Sequence, residues 1–365
     1  MKTRRYLIVV VGLVAGLAIM NMVGRPTDDL SQPAKNEPLT KHLDVIAGIP
    51  YWEYTQAFQS FQGNVGSIDT IALFWYYLTE DGSIKKYSDA QDPTPIIEFA
   101  RQHQVQVLAL IANLPEEEDT TWDWQRVQRV TNTAAARQHH IAEIVELVER
   151  HGYDGINIDY ETLRDHQTTA FTAFVQELST ALRDRGKTLK VAIQPRTTNR
   201  YQNGQDWVAL ARAVDQFSLM TYEEHWDASR PGPVASLPWV RRVLDFAVAL
   251  GVPQEKIFLG VPFYGYDWPQ RPGGSYGTAE GLEYVDVLAL DQAHQVDPTF
   301  AWPAASPHFT YSSNGRLHEV WYENKLSFAH KFNLAKEFRV GGLSLWRLGG
   351  EDQGIWSILT RLNPK

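Results

Sequence analysis

The sequence predicts a single (β/α)8 barrel, in which eight parallel strands are surrounded by helices. From residue 43 onward, short apolar runs alternate with amphipathic stretches. Repetition of strand, helix and strand is typical of parallel pairing with the helices outside. The chain has 365 residues, of which 44% are hydrophobic, so it can bury one large core, and a barrel of ordinary size would use nearly all of it.

The eight predicted strands are short apolar runs. They are Val45–Ile49, Ile68–Trp75, Val105–Ala112, Gly155–Tyr160, Leu189–Gln194, Gln216–Thr221, Ile257–Phe263 and Gly341–Trp346. The stretches between them show helical spacing of apolar residues, as at Ile141, Ile144, Val145 and Val148. An open doubly wound sheet fits the same alternation, but the Gly-rich phosphate-binding turn expected after its first strand is missing. We therefore favour the closed barrel.

One segment interrupts this alternation. From about Pro269 to Tyr322, Pro, Gly, Ser and aromatic residues are mixed without a long helical period. We interpret it as an insertion after the seventh strand. Because the active sites of barrels are built from loops at the C-terminal ends of the strands, the insertion is expected to form one wall of a cleft.

The N-terminal residues predict export. Lys2, Arg4 and Arg5 precede an apolar run that extends to Val23, as in a signal peptide or a signal anchor, and no cleavage site decides between the two. The polar residues 24–42 are predicted to be a linker, and residues 43–365 the catalytic domain. The expected location is extracytoplasmic, meaning secreted, periplasmic or anchored to the outer face of the cytoplasmic membrane.

Composition excludes several classes of function. The formal net charge of -9 argues against a nucleic-acid-binding protein, which requires a basic surface. Cysteine is absent, so a thiol nucleophile and a thiolate metal site are not available. His139 and His140 are adjacent on a predicted helix and do not face one another, so we assign both to the solvated surface. No metal and no organic cofactor are predicted, and the oligomeric state is left open.

The predicted fourth strand carries the most informative pattern. In the segment Asp154-Gly155-Ile156-Asn157-Ile158-Asp159-Tyr160-Glu161, polar and apolar residues alternate, which places Asn157, Asp159 and Glu161 on one face, towards the barrel interior. A hydrogen-bonded ladder that only stabilises the barrel is the alternative. Buried carboxylates are costly unless they are paired or functional. Because like charges raise one pKa of such a pair, Glu161 is a candidate general acid and Asp159 its ionised neighbour.

The pattern Asp154-Gly155-x-x-x-Asp159-x-Glu161 resembles the signature of glycoside hydrolase family 18. Met220-Thr221-Tyr222-Glu223 and Leu259–Gly265 are similar to further motifs of that family, and Gly341–Trp346 resembles its eighth strand. The continuation Arg347–Asp352 looks most like the branch that contains spore-cortex and other peptidoglycan-lytic N-acetylglucosaminidases. The resemblance extends over most of residues 43–362.

The resemblance implies retaining, substrate-assisted hydrolysis of a polymer that contains N-acetylglucosamine. The acetamido oxygen of the sugar would attack its own anomeric carbon while Glu161 protonates the leaving oxygen. Asp159 would hold the acetamide N–H and stabilise the cationic intermediate, and Tyr222 would bind the acetamide carbonyl. Trp346 would form an apolar floor beneath the sugar. The remaining residues assigned to substrate binding are Asn157, Met220, Glu223, Tyr264 and Tyr51.

Three features depart from the family pattern. Asn157 stands where a third aspartate is common, and Glu223 stands where aspartate is usual. The third strand ends in Leu108–Asn113 and lacks the Ser-x-Gly-Gly pattern of many chitinases. The missing Ser-x-Gly-Gly pattern argues against crystalline chitin as the substrate, and the branch resemblance favours peptidoglycan or a related envelope glycan.

Several alternatives remain open from the sequence. The chain could be a chitinase acting on chitooligosaccharides, a chitinase-like lectin without turnover, or a membrane-tethered structural module. Trp122 and Trp124 are predicted either to line the opposite wall of the cleft or to cap a helix. His225 is predicted either to bind substrate or to be an ordinary loop residue.

Overall fold

The computed structural model describes residues 42–116, 121–200 and 202–365. The predicted signal segment, and the predicted linker except for its last residue, lie outside these ranges, so both stay predictions. Every helix among the described residues is too short or too polar to span a lipid bilayer.

Strands and helices alternate through the described residues. In chain order they are β1 (Asp44–Pro50), α1 (Tyr54–Asn64), β2 (Thr70–Leu78), β3 (Ile84–Lys86), α2 (Thr94–Gln102), β4 (Gln106–Ala112), α3 (Trp124–Thr131), α4 (Ala134–His151), β5 (Gly155–Asp159), α5 (Thr168–Arg183), β6 (Thr188–Ile193), α6 (Trp207–Ala213), β7 (Gln216–Leu219), α7 (Leu237–Leu250), β8 (Ile257–Pro262), β9 (Tyr264–Pro269), β10 (Glu280–Glu283), α8 (Tyr284–His294), β11 (Thr299–Ala301), β12 (Ser306–Ser313), β13 (Arg316–Trp321), α9 (Lys325–Glu337), β14 (Gly342–Trp346) and α10 (Gly354–Leu362).

Eight of these strands form a closed parallel barrel. The order around it is β1, β2, β4, β5, β6, β7, β8 and β14, and β14 pairs with β1 to close the ring. Each predicted strand overlaps one of these eight. The predicted (β/α)8 barrel is confirmed, and the C-terminal ends of its strands meet at one rim, where barrel enzymes build their active sites.

The outward face of β5 explains why its apolar residues alternate. Ile156 and Ile158 are fully buried in the large core between the strands and the helices. Tyr160 follows on the same face, and its hydroxyl lies 2.7 Å from Nε2 of His140 on α4. The prediction that His140 is solvated is therefore wrong. Neighbouring residues on a helix point about 100° apart, so His139 faces water while its neighbour faces the core, where burial lowers the pKa of His140.

The insertion after the seventh barrel strand is also confirmed, although it begins at Tyr264 rather than at about Pro269. It is more regular than predicted, because five short strands form an antiparallel sheet in the order β10, β9, β13, β12 and β11, with α8 packed beside it. Main-chain hydrogen bonds join it to loops at the catalytic rim. Ala279 N–H donates to the carbonyl of Asp227, and Tyr284 N–H donates to the carbonyl of Gly350.

Candidate active site

A cavity opens at the C-terminal rim of the barrel and contains most of the predicted site. Its empty volume, including the open mouth, is about 580 Å³. The predicted residues in its walls are Asn157, Asp159, Glu161, Met220, Tyr222 and Trp346. The other three predicted residues, Tyr51, Glu223 and Tyr264, lie outside this wall. The polar face of β5 therefore points into the barrel, as its alternation predicted.

The main chain of Glu161 is fixed by a side chain from the neighbouring strand. Asn113, which follows β4 and is fully buried, accepts a hydrogen bond from Glu161 N–H at 2.8 Å and donates one to the Glu161 carbonyl at 3.0 Å. The next residue, Thr162, has a φ of 55° and donates its hydroxyl hydrogen to the carbonyl of Trp122. These contacts hold the base of the Glu161 side chain at the rim.

The Glu161 carboxyl favours its protonated form. Burial raises the pKa of Glu161 well above its usual value, and the negative charges of Asp159 and Glu223 act in the same direction. A side-chain hydrogen bond with Gln194 opposes them in part. A carboxylic acid that keeps its proton near neutral pH can donate it to a leaving oxygen.

Asp159 has a different environment, deeper in the barrel. Burial raises the pKa of Asp159 to about 7, while the positive charge of Lys190 acts in the opposite direction. Lys190 lies on β6, is 4% exposed and donates a hydrogen bond to the hydroxyl of Ser344 at 3.0 Å. Oδ1 of Asp159 is buried without a hydrogen-bond partner among the described residues. It is therefore free to accept a hydrogen bond from a ligand.

Trp346 forms an aromatic wall of the cavity. Its ring centroid lies 5.8 Å from that of Phe74 and 6.4 Å from that of Trp52. Gly48 makes room for this ring, because a Cβ atom at Gly48 would stand 2.7 Å from Cε3 of Trp346. A sugar presents apolar C–H faces that pack well on such a surface.

Glu223 and Tyr264 pair with each other at the edge of the cavity, next to Tyr222. The hydroxyl of Tyr264 donates to Glu223, and that of Tyr266 lies 3.0 and 3.1 Å from the two carboxylate oxygens. The Tyr264 ring contacts that of Tyr222 edge-on, with 6.4 Å between centroids. Since Tyr264 and Tyr266 belong to β9, the insertion supplies one side of the site, as predicted. Burial raises the pKa of Tyr222, so its hydroxyl stays a hydrogen-bond donor.

The other candidates divide between cleft and scaffold. Tyr51 stacks on Tyr87 at 4.5 Å and belongs to the aromatic packing beside the cavity. Trp122 lines the cavity, whereas Trp124 begins α3. His225 is a loop residue whose Nδ1 lies 3.0 Å from the carbonyl of Pro233, and it does not line the cavity.

Sequence reasoning missed three residues of the site. Asn113 and Gln194 come directly after apolar runs, and their place at the ends of β4 and β6, the two strands that flank β5, was an available signal. Lys190 offered a weaker signal, because a single lysine within a strand is usually on an exposed face.

The missed and the predicted residues form one site. It contains a protonatable acid, a second buried carboxyl, a hydroxyl donor and an aromatic wall around one cavity. This arrangement is suited to acid-assisted cleavage of a glycosidic bond.

The chain belongs to the glycosyl hydrolases family 18, whose model matches residues 49–352. It is therefore a glycoside hydrolase, of a family that acts on polymers containing N-acetylglucosamine. Over 295 residues it is 31% identical to YdhD of Bacillus subtilis, a proposed sporulation-specific glycosylase, covering 79% of this chain and 68% of that protein. It is 28% identical to a cortical fragment-lytic enzyme of Bacillus anthracis, covering 79% of this chain and 66% of that protein. A crystal structure of a chitinase from Chromobacterium violaceum superposes with a TM-score of 0.79 at 28% identity, covering 87% and 98% of the two chains.

Proposed function

We propose that this protein cleaves β-glycosidic bonds after N-acetylglucosamine residues by a substrate-assisted, retaining mechanism. Glu161 donates its proton to the leaving oxygen, and the acetamido oxygen of the same sugar attacks the anomeric carbon. Asp159 accepts a hydrogen bond from the acetamide N–H and offsets the positive charge of the cyclic intermediate. The hydroxyl of Tyr222 donates a hydrogen bond to the acetamide oxygen. Glu161 then accepts a proton from the water that opens the ring.

The observation that carries this proposal is the convergence of Asp159, Glu161, Tyr222 and Trp346 on one cavity. An acid, a carboxylate, a donor and an apolar wall are all present. The carboxyls among the residues that line the cavity are Asp159 and Glu161, which belong to one segment of the chain. In the proposed reaction the acetamido group of the substrate is therefore the nucleophile. A lectin without turnover would have no need for the acid, which is present here.

We propose peptidoglycan or a related envelope glycan as the natural polymer. Support comes from the name of the Bacillus anthracis relative, a cortical fragment-lytic enzyme, and from the predicted export segment. Chitooligosaccharides are the second candidate, favoured by the similarity to a chitinase structure. Both proposals place the enzyme outside the cytoplasm, either released or held at the membrane by residues 1–23.

The two candidates can be separated by analysing products. Purified protein is incubated with peptidoglycan strands and, separately, with chitooligosaccharides, and new reducing ends are reduced with borohydride and identified by mass spectrometry. Glucosaminitol ends on peptidoglycan are expected. Muramitol ends alone would contradict cleavage after N-acetylglucosamine while leaving the mechanism intact. Products from chitooligosaccharides alone would favour the second candidate.

Strands that have been fully deacetylated provide the control for the mechanism. Without the acetamide, no group of the substrate is held near the anomeric carbon, and an intramolecular nucleophile contributes an effective molarity equivalent to roughly 7–11 kcal/mol. Deacetylated strands should therefore be inert, and a thiazoline analogue of the cyclic intermediate should bind more tightly than substrate. Efficient cleavage of deacetylated strands would contradict the substrate-assisted mechanism.

A further inference from the structure

Lys190 is the one basic side chain among the described residues that line the cavity. On β6 its register partner on β5 is Asn157, so its main chain lies two residues deeper in the barrel than that of Asp159. Its ammonium group reaches across the barrel to Ser344 on β14. A lysine is rarely buried unless its charge is compensated, and the negative charge that acts on it is that of Asp159, which lines the same cavity from the adjacent strand.

The groups that act electrostatically on the two carboxyls come from several elements. Glu161 lies on the same segment as Asp159, Lys190 on the adjacent strand β6, and Tyr222 and Glu223 follow β7. Tyr87, which follows β3, is also influenced by the charge of Asp159. Asn157, Ser218 and Ser344 complete the polar lining and carry no charge. Among the described residues that act on the two carboxyls, Lys190 thus carries the one positive charge, against the negative charges of the carboxyls themselves and of Glu223.

We propose that Lys190 is a positioning residue for the reaction, whose ammonium group holds Asp159 in its ionised state so that Asp159 and Glu161 keep opposite protonation states. The proposal rests on the proposed function. A titratable acid next to Asp159 could share a proton with it and so adjust its ionisation. Asn157, at the same level as Lys190, is neutral and cannot do so. The positive charge of Lys190 stabilises the ionised form of Asp159 instead.

The electrostatics agree with this geometry. Although burial lowers the pKa of Lys190 to about 8, the side chain remains largely charged at neutral pH. An opposite charge nearby typically lowers the pKa of a carboxyl by about 1–3. Removing the charge of Lys190 should therefore raise the pKa of Asp159, and Asp159 would be protonated at the pH where the reaction needs it ionised.

A purely structural role is the competing explanation, because the hydrogen bond to Ser344 also ties β6 to β14. The two roles predict different pH profiles. We would compare wild type with Lys190→Met and Lys190→Gln, which remove the charge, with Lys190→Arg, which keeps it, and with Ser344→Ala, which removes only the hydrogen bond. Folding of each variant is checked by thermal unfolding.

The expected result is that the acidic limb of the kcat profile moves to higher pH by about one unit or more in Lys190→Met and Lys190→Gln. At pH 6, kcat should fall roughly tenfold or more while KM changes little. Lys190→Arg and Ser344→Ala should keep the wild-type limb. An unchanged limb in folded Lys190→Gln, or an equal displacement in Ser344→Ala, would overturn the proposal.

A second measurement requires no substrate. In protein labelled with 13C at aspartate carboxyls, the Asp159 signal is assigned by its loss in Asp159→Asn, and its titration midpoint should move upward in Lys190→Gln. A midpoint that does not move would also overturn the proposal. Absence of hydrolysis by wild type would defeat the proposed function alone, because this titration still tests Lys190.

Discussion

At the scale of single residues, the main feature is that two carboxyls of one short segment have different surroundings. Glu161 lies at the rim near the negative charges of Asp159 and Glu223, whereas Asp159 lies deeper, within the influence of a buried lysine. Because they interact, the protons of the two groups are released in steps that belong to the pair. When the two protons are released at well-separated pH values, one residue can act as an acid while the other stabilises positive charge.

Replacing Glu161 by Gln should remove the proton donor without disturbing the fold. The amide preserves the side-chain volume and can keep a hydrogen bond with Gln194, so binding of the polymer should be retained. We expect kcat to fall by at least roughly 10²–10⁴-fold, the usual contribution of a general acid. Steady-state kinetics on the accepted polymer check this, with the exposed Glu98→Gln on α2 as a matched control that should keep full activity. Near wild-type turnover in Glu161→Gln would mean that another group donates the proton.

Asp159→Asn should separate binding from chemistry. The amide still fits beside the acetamide, but it no longer offsets the positive charge of the intermediate, so kcat should fall by roughly 10²-fold or more while KM changes little. Affinity for a cationic thiazoline analogue should fall together with kcat. Measuring both constants and the inhibitor affinity tests this, and an unchanged kcat with an unchanged pH profile would exclude the assigned role of Asp159.

At the scale of elements, the site depends on how closely neighbouring strands approach. β1 and β14 pair in parallel, and Gly48 on β1 leaves space for the Trp346 ring at the end of β14. The aromatic wall of the cavity is therefore determined by the absence of a side chain on the adjacent strand as much as by the tryptophan itself.

Gly48→Ala should displace the Trp346 ring from the cavity wall. The added methyl group would stand 2.7 Å from that ring, so the ring must move, and substrate stacking should weaken. Stacking of a nucleic-acid base on an aromatic ring is worth about 1–3 kcal/mol, and a loss of comparable size for a sugar would lower kcat/KM about tenfold or more. Gly281→Ala is the control, because its methyl group meets no atom closer than 3.9 Å. Equal kinetics for the two variants would show that the ring position does not matter.

The strands of the barrel could be predicted from the sequence, but the contacts between distant segments could not. Every barrel strand was found, because buried parallel strands leave a local apolar run, and the polar face of β5 was found from period-two alternation alone. The strands of the insertion were not, because they are short and alternate with turns. Contacts between distant segments left no local pattern. Lys190 and Ser344 are 154 residues apart, and Glu223 and Tyr264 are 41 apart.

At the scale of the whole molecule, the active site reduces the free energy of unfolding. The barrel is held by a large apolar core, whereas the cavity encloses carboxyls whose ionisation burial opposes. Groups arranged for catalysis in this way are commonly unfavourable for stability, and replacing them often stabilises a protein. The loss in free energy of unfolding should depend on pH, because burial is unfavourable only for the ionised form of a carboxyl.

The sign of this dependence follows from the raised pKa of Glu161. Below the ordinary pKa of a glutamic acid, folded and unfolded chains both hold the proton, and Glu161 costs nothing. Above it, the unfolded chain releases the proton and the folded chain retains it until the pH passes the raised pKa. Stability is therefore lost as the pH rises through this window.

Glu161→Gln should consequently unfold at a higher temperature than wild type at pH 7.5, while the two proteins should be nearly equal at pH 4. A stabilisation of about 1 kcal/mol corresponds to roughly 2 °C in a chain of this size. Differential scanning calorimetry at both pH values measures the difference, and Glu98→Gln, on an exposed surface, should show none at either. If the difference between Glu161→Gln and wild type were the same at pH 4 and 7.5, it would come from packing or hydrogen bonding. A larger difference at pH 4 would mean that Glu161 is stabilised in its ionised form, which is incompatible with a group that must hold a proton for the leaving oxygen.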